Sequence, residues 1–545
     1  DMSKILVDSI WGGITQAQYS YKEGQYLAAI GIDPDFPISD SVGDRRASGI
    51  LRPTAYASFS GANLNNPPNW IINNPKNTLL YVVLNSGRLL SYTAALGGET
   101  NIGTATASNG NGGAYYNNYI YIATDADISR YGPLDGAPAL TNSVWTGATL
   151  GAQTALSAAT YPGSRTSTGG GVSFPNHAMH LHNDNKLYFC DYTNGIGYIH
   201  YIRTTFGAVE GDTNDVSRYN ALDLPYGFRP IDIESYGNDL VILAVQTTDT
   251  TATTGVQQGK AALFFWDTFS DSFYNQVWLT DSIGSALINN NGQLYVFSGN
   301  ISRGTDIANG YRLLRYAGGQ TLEELYFSNT GSPPHAGAVI AHGNRIAWGT
   351  FDQIQTTTPG TPEYYTVVMG YGSKNSSIPS GVHCIVNTTG VTSASDGFVT
   401  SLGSFEDRAF SGPRFIVGRT NQLAPATQTL DSISTTYRTS IWQSRIFTIG
   451  QRFEITRIRI PLAAAVAASM TITPTLFIDD FSSSAGSAQG LSVINNTNYT
   501  QSERAIILYP NVSGVNNFCL ELRWTGTALL PVLLPIEIEY IVFPD

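Results

Sequence analysis

The stretch His177 to Tyr192, HAMHLHNDNKLYFCDY, concentrates three of the seven histidines of the chain and one of its three cysteines. Two residues apart on a strand, His180 and His182 share one face, where two imidazoles could meet one metal ion with Asp184 following on that side. His177 would point the other way. A zinc site needs three or four convergent ligands, and only two or three are visible here. The run NDN before LYF also reads as a turn into a strand, and the same turn recurs elsewhere without histidine. We therefore read the stretch as one hairpin of a repeat and expect neither metal nor cofactor.

Other candidate chemistry is thinner. The carboxylate pairs Asp33/Asp35, Asp125/Asp127 and Asp479/Asp480 could offer oxygens to calcium, which needs six or more. None sits in an EF-hand loop, and Gly31 and Pro34 mark the first pair as turn chemistry. No G-x-S-x-G elbow and no H-E-x-x-H pair is present, and Gly103 to Gly113 lacks the lysine of a phosphate loop. Two carboxylates converging from distant strands, as in a glycosidase, would not show in sequence. Cys190, Cys384 and Cys519 are far apart, without C-x-x-C spacing, and Cys190 and Cys384, each in an apolar strand-like run, read as inert core residues. The Asn-x-Ser/Thr sequons, at Asn300, Asn375, Asn387, Asn495, Asn498 and Asn511, read as accidents of an Asn-, Ser- and Thr-rich chain. The expectation is a protein without catalytic residues.

The elements that would position such residues follow from a repeat. A polar Asn/Gly turn followed by an aromatic-bearing β-run recurs at 74–84, 115–123, 183–192, 236–245, 289–299, 342–351 and, more weakly, 393–402. In the last five copies the first apolar residue after the turn is Leu187, Leu240, Leu294, Ile346 and Phe398, spaced 53, 54, 52 and 52 apart by subtraction. That period fits blades of a β-propeller, each a four-stranded sheet. Earlier copies, at Leu79 and Ile120, are spaced less regularly, and the Gly/Ser/Thr-rich 164–174 reads as a loop insertion. Trp266-Asp267 is the one WD pair and does not repeat, and SASDGF is a mere fragment of an Asp-box.

Within this frame Lys260 to Leu279 and Tyr311 to Phe327 each read as two strands around a turn, the outer pair of one blade. An Ala-rich segment between Pro461 and Pro474 is the one helix candidate. From about Ser440 the pattern changes, alternating strictly polar and apolar at 452–462 and 535–543, with further strands at 505–510 and 517–524. The fold class expected is all-β: a lead-in or arm at 1–50, a seven-bladed β-propeller at 51–430, and an antiparallel β-sandwich at 431–545.

Composition supports a large β-structured chain of unusual surface. Hydrophobic residues make up 42% of the 545 and aromatics 11%, enough for an extensive core. Charged residues are 13%, about half the usual share. A net charge of -12 without any basic run excludes a nucleic-acid binder, and the longest apolar stretch, Leu462 to Met470, is too short to span a bilayer. Such a polar but weakly charged surface suits an extracellular or particle-bound protein.

The lead-in GITQAQYSYKEGQYLAAIGIDPDFP (13–37), the phrase SRYGPLDG (129–136), the turns NDNKLYF and YGNDLVIL, and the ending LPIEIEYIVFPD resemble those of phage virion proteins that join a β-propeller to a C-terminal β-sandwich. The resemblance implies a non-enzymatic structural part of a virus particle, in tail, collar or capsid decoration. Its partners would be other virion proteins in a homo-oligomeric or symmetric assembly, with a host-surface glycan as a further partner. It assigns no site residue. A carbohydrate-binding or polysaccharide-degrading propeller, and a cell-surface layer or filament subunit, are the competing readings.

Overall fold

In the computed structural model the described residues are 2–543 apart from 16–21, 35–49, 60–63, 76–78, 106–111, 125–127, 146–176, 204–215, 247–259, 302–307, 373–380, 392–397, 406–413, 422–426, 434–438, 480–487, 500–502, 527–530 and scattered stretches of one or two. The glycine-rich segment 164–174, Asp35, Asp125, Asp127, Asp480 and the Asn375 sequon lie outside them.

Seven four-stranded antiparallel sheets follow one another along the chain. Blades 1 to 6 open with the strands Pro68–Ile72, Gly112–Tyr116, Met179–Leu181, Phe228–Tyr236, Ile283–Asn290 and Val339–His342, and blade 7 opens with Phe398–Phe405. Each first strand packs beside the first strands of the blades before and after it, and the seventh meets the first. The ring is closed, which makes the fold an all-β, seven-bladed propeller with no free sheet edge around its axis. First strands of blades 1, 4, 5 and 7 carry a register shift near their start, a β-bulge that adds twist where strands converge on the axis.

The turns between first and second strands explain the repeat. Their central residues adopt left-handed backbone: Asn117 and Asn118 in blade 2, Asn185 in blade 3, Gly237 in blade 4, Asn291 and Gly292 in blade 5. Only Gly and, at some cost, Asn enter that region readily, and two consecutive positive φ values define the hairpin turn matching strand twist. The seventh sequence copy is corrected. Phe398 begins the first strand of blade 7, whereas Leu187, Leu240, Leu294 and Ile346 lie in second strands, so its spacing of 52 is coincidental. The second strand there is Arg414–Asn421. A turn followed by an apolar run marks a strand start, and a connection between blades looks the same as one within a blade.

Blade 7 has three strands from its own stretch of chain and a fourth, Tyr56–Phe59, from the N-terminal side. Buried Asp431 holds the seam by accepting from Ser58 Oγ at 2.6 Å and Arg419 Nε at 3.2 Å. Blades 7 and 1 meet closely: a Cβ at Gly403 would sit 2.2 Å from Ile71 Cγ2, and Thr400 Oγ1 donates to Pro68 O at 2.7 Å.

The C-terminal region is a nine-stranded antiparallel sheet. Its long strands Phe447–Pro461 and Val512–Gly526 each change partners along their length, and Phe453, Ile455, Ile472, Phe518, Leu522, Ile536 and Ile538 pack in its core. The Ala-rich segment expected as a helix precedes the strand Met470–Ile478 as turns, and the one described helix is a 3-10 turn at Ala336–Ala338. Two strands of this sheet come from the expected arm: Met2–Val7 pairs with Ile536–Val542, and Ala28–Ile30 pairs with Ser440–Gln443. On the sheet's open face Lys4 lies 3.1 Å from Glu539 and 3.6 Å from Glu537, which also meet Arg457 and Arg459, each at 3.0 Å.

The same N-terminal segment docks on blade 6. Both Arg345 terminal nitrogens donate to the Asp33 carboxylate at 2.8 Å, Ile32 N–H donates to Cys384 O, and Tyr26 Oη lies 2.7 Å from His383 Nδ1. Burial holds His383 at a pKa of about 4, so it is neutral there.

Candidate functional site

The opening strand of blade 3 brings His180 and His182 to one side, as their spacing predicts, and against blade 4. His182 Nε2 lies 3.2 Å from Asn238 O, a pure acceptor, so that nitrogen carries the proton. Its Nδ1 then accepts from Ser235 Oγ at 2.8 Å, and the Ser235 oxygen accepts from His180 Nε2 at 2.7 Å. The bonds form a directed chain, His180 to Ser235 to His182 to backbone, that fixes both tautomers. Burial lowers both imidazole pKa values, His180 to about 4.

Asp184 does not join them. Its carboxylate takes Lys186 Nζ and Tyr188 Oη, each at 2.7 Å, because the four-residue turn swings it away from the strand face. His177 points into the blade, with Nδ1 2.9 Å from Cys190 O and 3.9 Å from Asp191. Asp191 also faces His200 Nε2 at 3.3 Å, while His200 Nδ1 accepts from Asn220 N–H. Among the described residues no three His, Cys, Asp or Glu side chains converge in a geometry for a metal ion.

Two carboxylates emerge that motif reading passed over. Asp232 and Glu234 lie on the first strand of blade 4. Asp232 accepts from Leu287 N–H of blade 5 at 2.8 Å and from Ile233 N–H at 3.0 Å. Glu234 lies 3.3 Å from His180 Nε2 and accepts from the backbone at Ser235 and Asn289. Burial raises Asp232 to about 8 and Glu234 to about 7. The alternation IDIES, two acids inside an otherwise apolar strand, was the available sequence signal.

These groups belong to a wider girdle. Tyr116 Oη bonds Asn185 O across blades 2 and 3, Asn183 Nδ2 bonds Gly237 O across 3 and 4, and Asn289 Nδ2 bonds Ser235 O across 4 and 5. Asn291 then meets Asn344 across 5 and 6, and His342 meets Ser404 across 6 and 7. The period of the sequence is therefore the step between successive hydrogen bonds that cross the five seams from blade 2 to blade 7. Ser235 on His182 has the reach of a nucleophile and its base. Its oxygen also accepts from His180, and at 8% exposure the residue is clamped between blades, so the hydroxyl works as a bridge.

The remaining candidates resolve individually. Asp33 is held by Arg345, and Asp479 accepts from Asn516 and Asn517 N–H, so both build structure. All three cysteines are buried and outside any disulfide, and burial keeps Cys190 and Cys519 protonated, Cys519 with a pKa of about 12. Trp266 and Trp348 are core residues, whereas Trp278 is 46% exposed with Lys260 Nζ 5.6 Å from its ring. Tyr226 is also exposed and precedes Phe228, whose ring lies 5.7 Å from Trp278, on the face opposite the girdle turns. Among the described residues no helix is long and apolar enough to cross a membrane.

No family model and no curated protein matches the sequence. Several solved structures that align with it are propeller or WD40 domains. The Myceliophteria thermophila Cps50 (Swd1) β-propeller domain shares 10% identity at a TM-score of 0.40, covering 70% of this chain and 99% of its own. The Neurospora crassa Pan2 WD40 domain shares 8% at 0.40, covering 70% and 95%, and the Dos1 propeller 12% at 0.38, covering 70% and 94%. At such scores the likeness carries no functional argument, and the blade count rests on the strand pairing.

Proposed function

We propose that the protein is a non-enzymatic interaction platform, a structural component of an extracellular virus particle whose propeller offers its loop faces to other virion proteins. One observation carries the non-enzymatic reading: His180, His182, Ser235, Asp232 and Glu234 direct their hydrogen bonds into neighbouring blades. Groups so engaged rigidify a disc and leave little to act on a substrate. The viral setting rests on the sequence resemblance and on a polar, weakly charged surface able to form wet, adaptable contacts.

The N-terminal segment supplies strands to the C-terminal sheet and a latch to blade 6, so removing it would unfold what it holds. The test is therefore a cryo-electron-microscopy map of the native particle. Copies at fixed symmetric positions, with neighbours on the propeller faces, would support the platform; a chain absent from the particle would reject the virion reading. Exposed Trp278 and Tyr226 favour glycan binding as a second reading, which a glycan array with W278A as control would check.

A further inference from the structure

The connection between the third and fourth strands of blade 4, residues 267–274, is braced and yet presents apolar surface to solvent. Asp267 Oδ1 accepts from Phe269 N–H at 2.9 Å and Ser270 N–H at 2.8 Å, and its Oδ2 accepts from Ser270 Oγ at 2.7 Å. Trp266 Nε1 donates to Ser270 O at 2.7 Å. Between them Thr268 is held at φ 65°, a region β-branched residues rarely enter and one that persists only where surroundings enforce it. What this bracing displays is the Phe269 ring, 83% exposed, on the same loop as Tyr274, 61% exposed and fixed by its hydroxyl on Asp239 at 2.6 Å.

Folding gains little from an aromatic ring held in water on a strained turn. Binding does gain, because a pre-ordered aromatic anchor loses less freedom on association. The surroundings give the partner's sign. Asp239, Asp267 and exposed Asp271 lie on or beside the loop, and the hydrogen bonds from Ser270 keep the Asp267 carboxyl below its usual range and therefore charged. The cation beside Phe269 is Lys186, 5.9 Å from the ring, and Asp184 at 2.7 Å matches it.

We propose that this blade 4 loop is a docking knob whose Phe269 enters an apolar pocket, rimmed by arginine or lysine, on a protein partner. The proposal rests on the platform reading and names one of its contact surfaces. The test is fluorescence anisotropy with three labelled synthetic peptides of equal length, one of Leu, Trp and Arg, one of Leu, Trp and Glu, and one of Gly and Ser, alongside a set of neutral oligosaccharides. Wild type should bind the cationic apolar peptide, more weakly as salt rises, and F269A should lose about tenfold or more in affinity. Because the ring is exposed, F269A should keep the wild-type unfolding midpoint. Equal peptide binding by wild type and F269A, or a fall in that midpoint, overturns the knob while leaving the platform to the particle map. Binding of oligosaccharides alone, or of nothing, overturns it as well.

Discussion

Charge removal at Asp33 should release the N-terminal segment from blade 6. Asp33 and Arg345 are both buried and meet through two hydrogen bonds of 2.8 Å, so neutralising one leaves the other as a buried charge without its counter-ion. Breaking such a pair costs about 3–5 kcal/mol. At about 2.1 cal/mol/K of unfolding entropy per residue, the 545 residues carry about 1.1 kcal/mol/K, so D33N should lower Tm by about 3–4 °C if the chain melts as one unit. If only the segment detaches, the same energy is about 10²- to 4 × 10³-fold in its opening equilibrium. It would then appear as faster amide exchange over Ala28–Ile30, whose partner strand carries Trp442, 6.3 Å from Tyr26. Hydrogen exchange and Trp fluorescence during denaturation read both outcomes. The double variant D33L/R345M, apolar on both sides, should recover most of the loss. The reasoning fails if D33N changes stability by under about 0.5 kcal/mol, the range of an exposed pair, and leaves exchange over 28–30 unchanged.

Acid should loosen the seam between blades 3 and 4. His180, with a folded pKa of about 4 against 6.5 unfolded, binds its proton less readily when folded, so its contribution is present above about 6.5 and lost as pH falls toward 4. Asp232, raised to about 8, runs the opposite way: its contribution is lost as pH rises from about 4 to 8, and D232N should flatten that alkaline limb in urea midpoints measured from pH 5 to 9. Gly403→Ala should destabilise by about 1–3 kcal/mol through its clash with Ile71, and I71A in the same chain should return part of it on thermal denaturation; simple additivity would argue against direct contact. Asp431→Ala should cost about 3 kcal/mol or more by stripping Ser58 and Arg419 of their shared acceptor, seen as early proteolytic release of the strand Tyr56–Phe59.

How much of this was legible beforehand differs by length scale. Turn residues such as Asn117, Asn291 and Gly292 are dictated locally by backbone sterics, and the apolar runs that follow them by strand alternation, so the all-β class and the propeller could be read from the chain. The pairing of His180 with His182 on one face was likewise a matter of strand periodicity. Which elements meet across hundreds of residues was not, because no local pattern encodes it. Tyr56–Phe59 closing blade 7, Met2–Val7 and Ala28–Ile30 joining the C-terminal sheet, and Asp33 finding Arg345 are fixed by burial and hydrogen-bond demand in the assembled fold. The same holds for the roles of Asp232 and Ser235, which depend on the backbone of the next blade and the imidazoles of the one before. Sequence determined the blades; the tertiary structure decided how the ring closes and what its polar groups are for, since both arise from contacts between segments that are strangers along the chain.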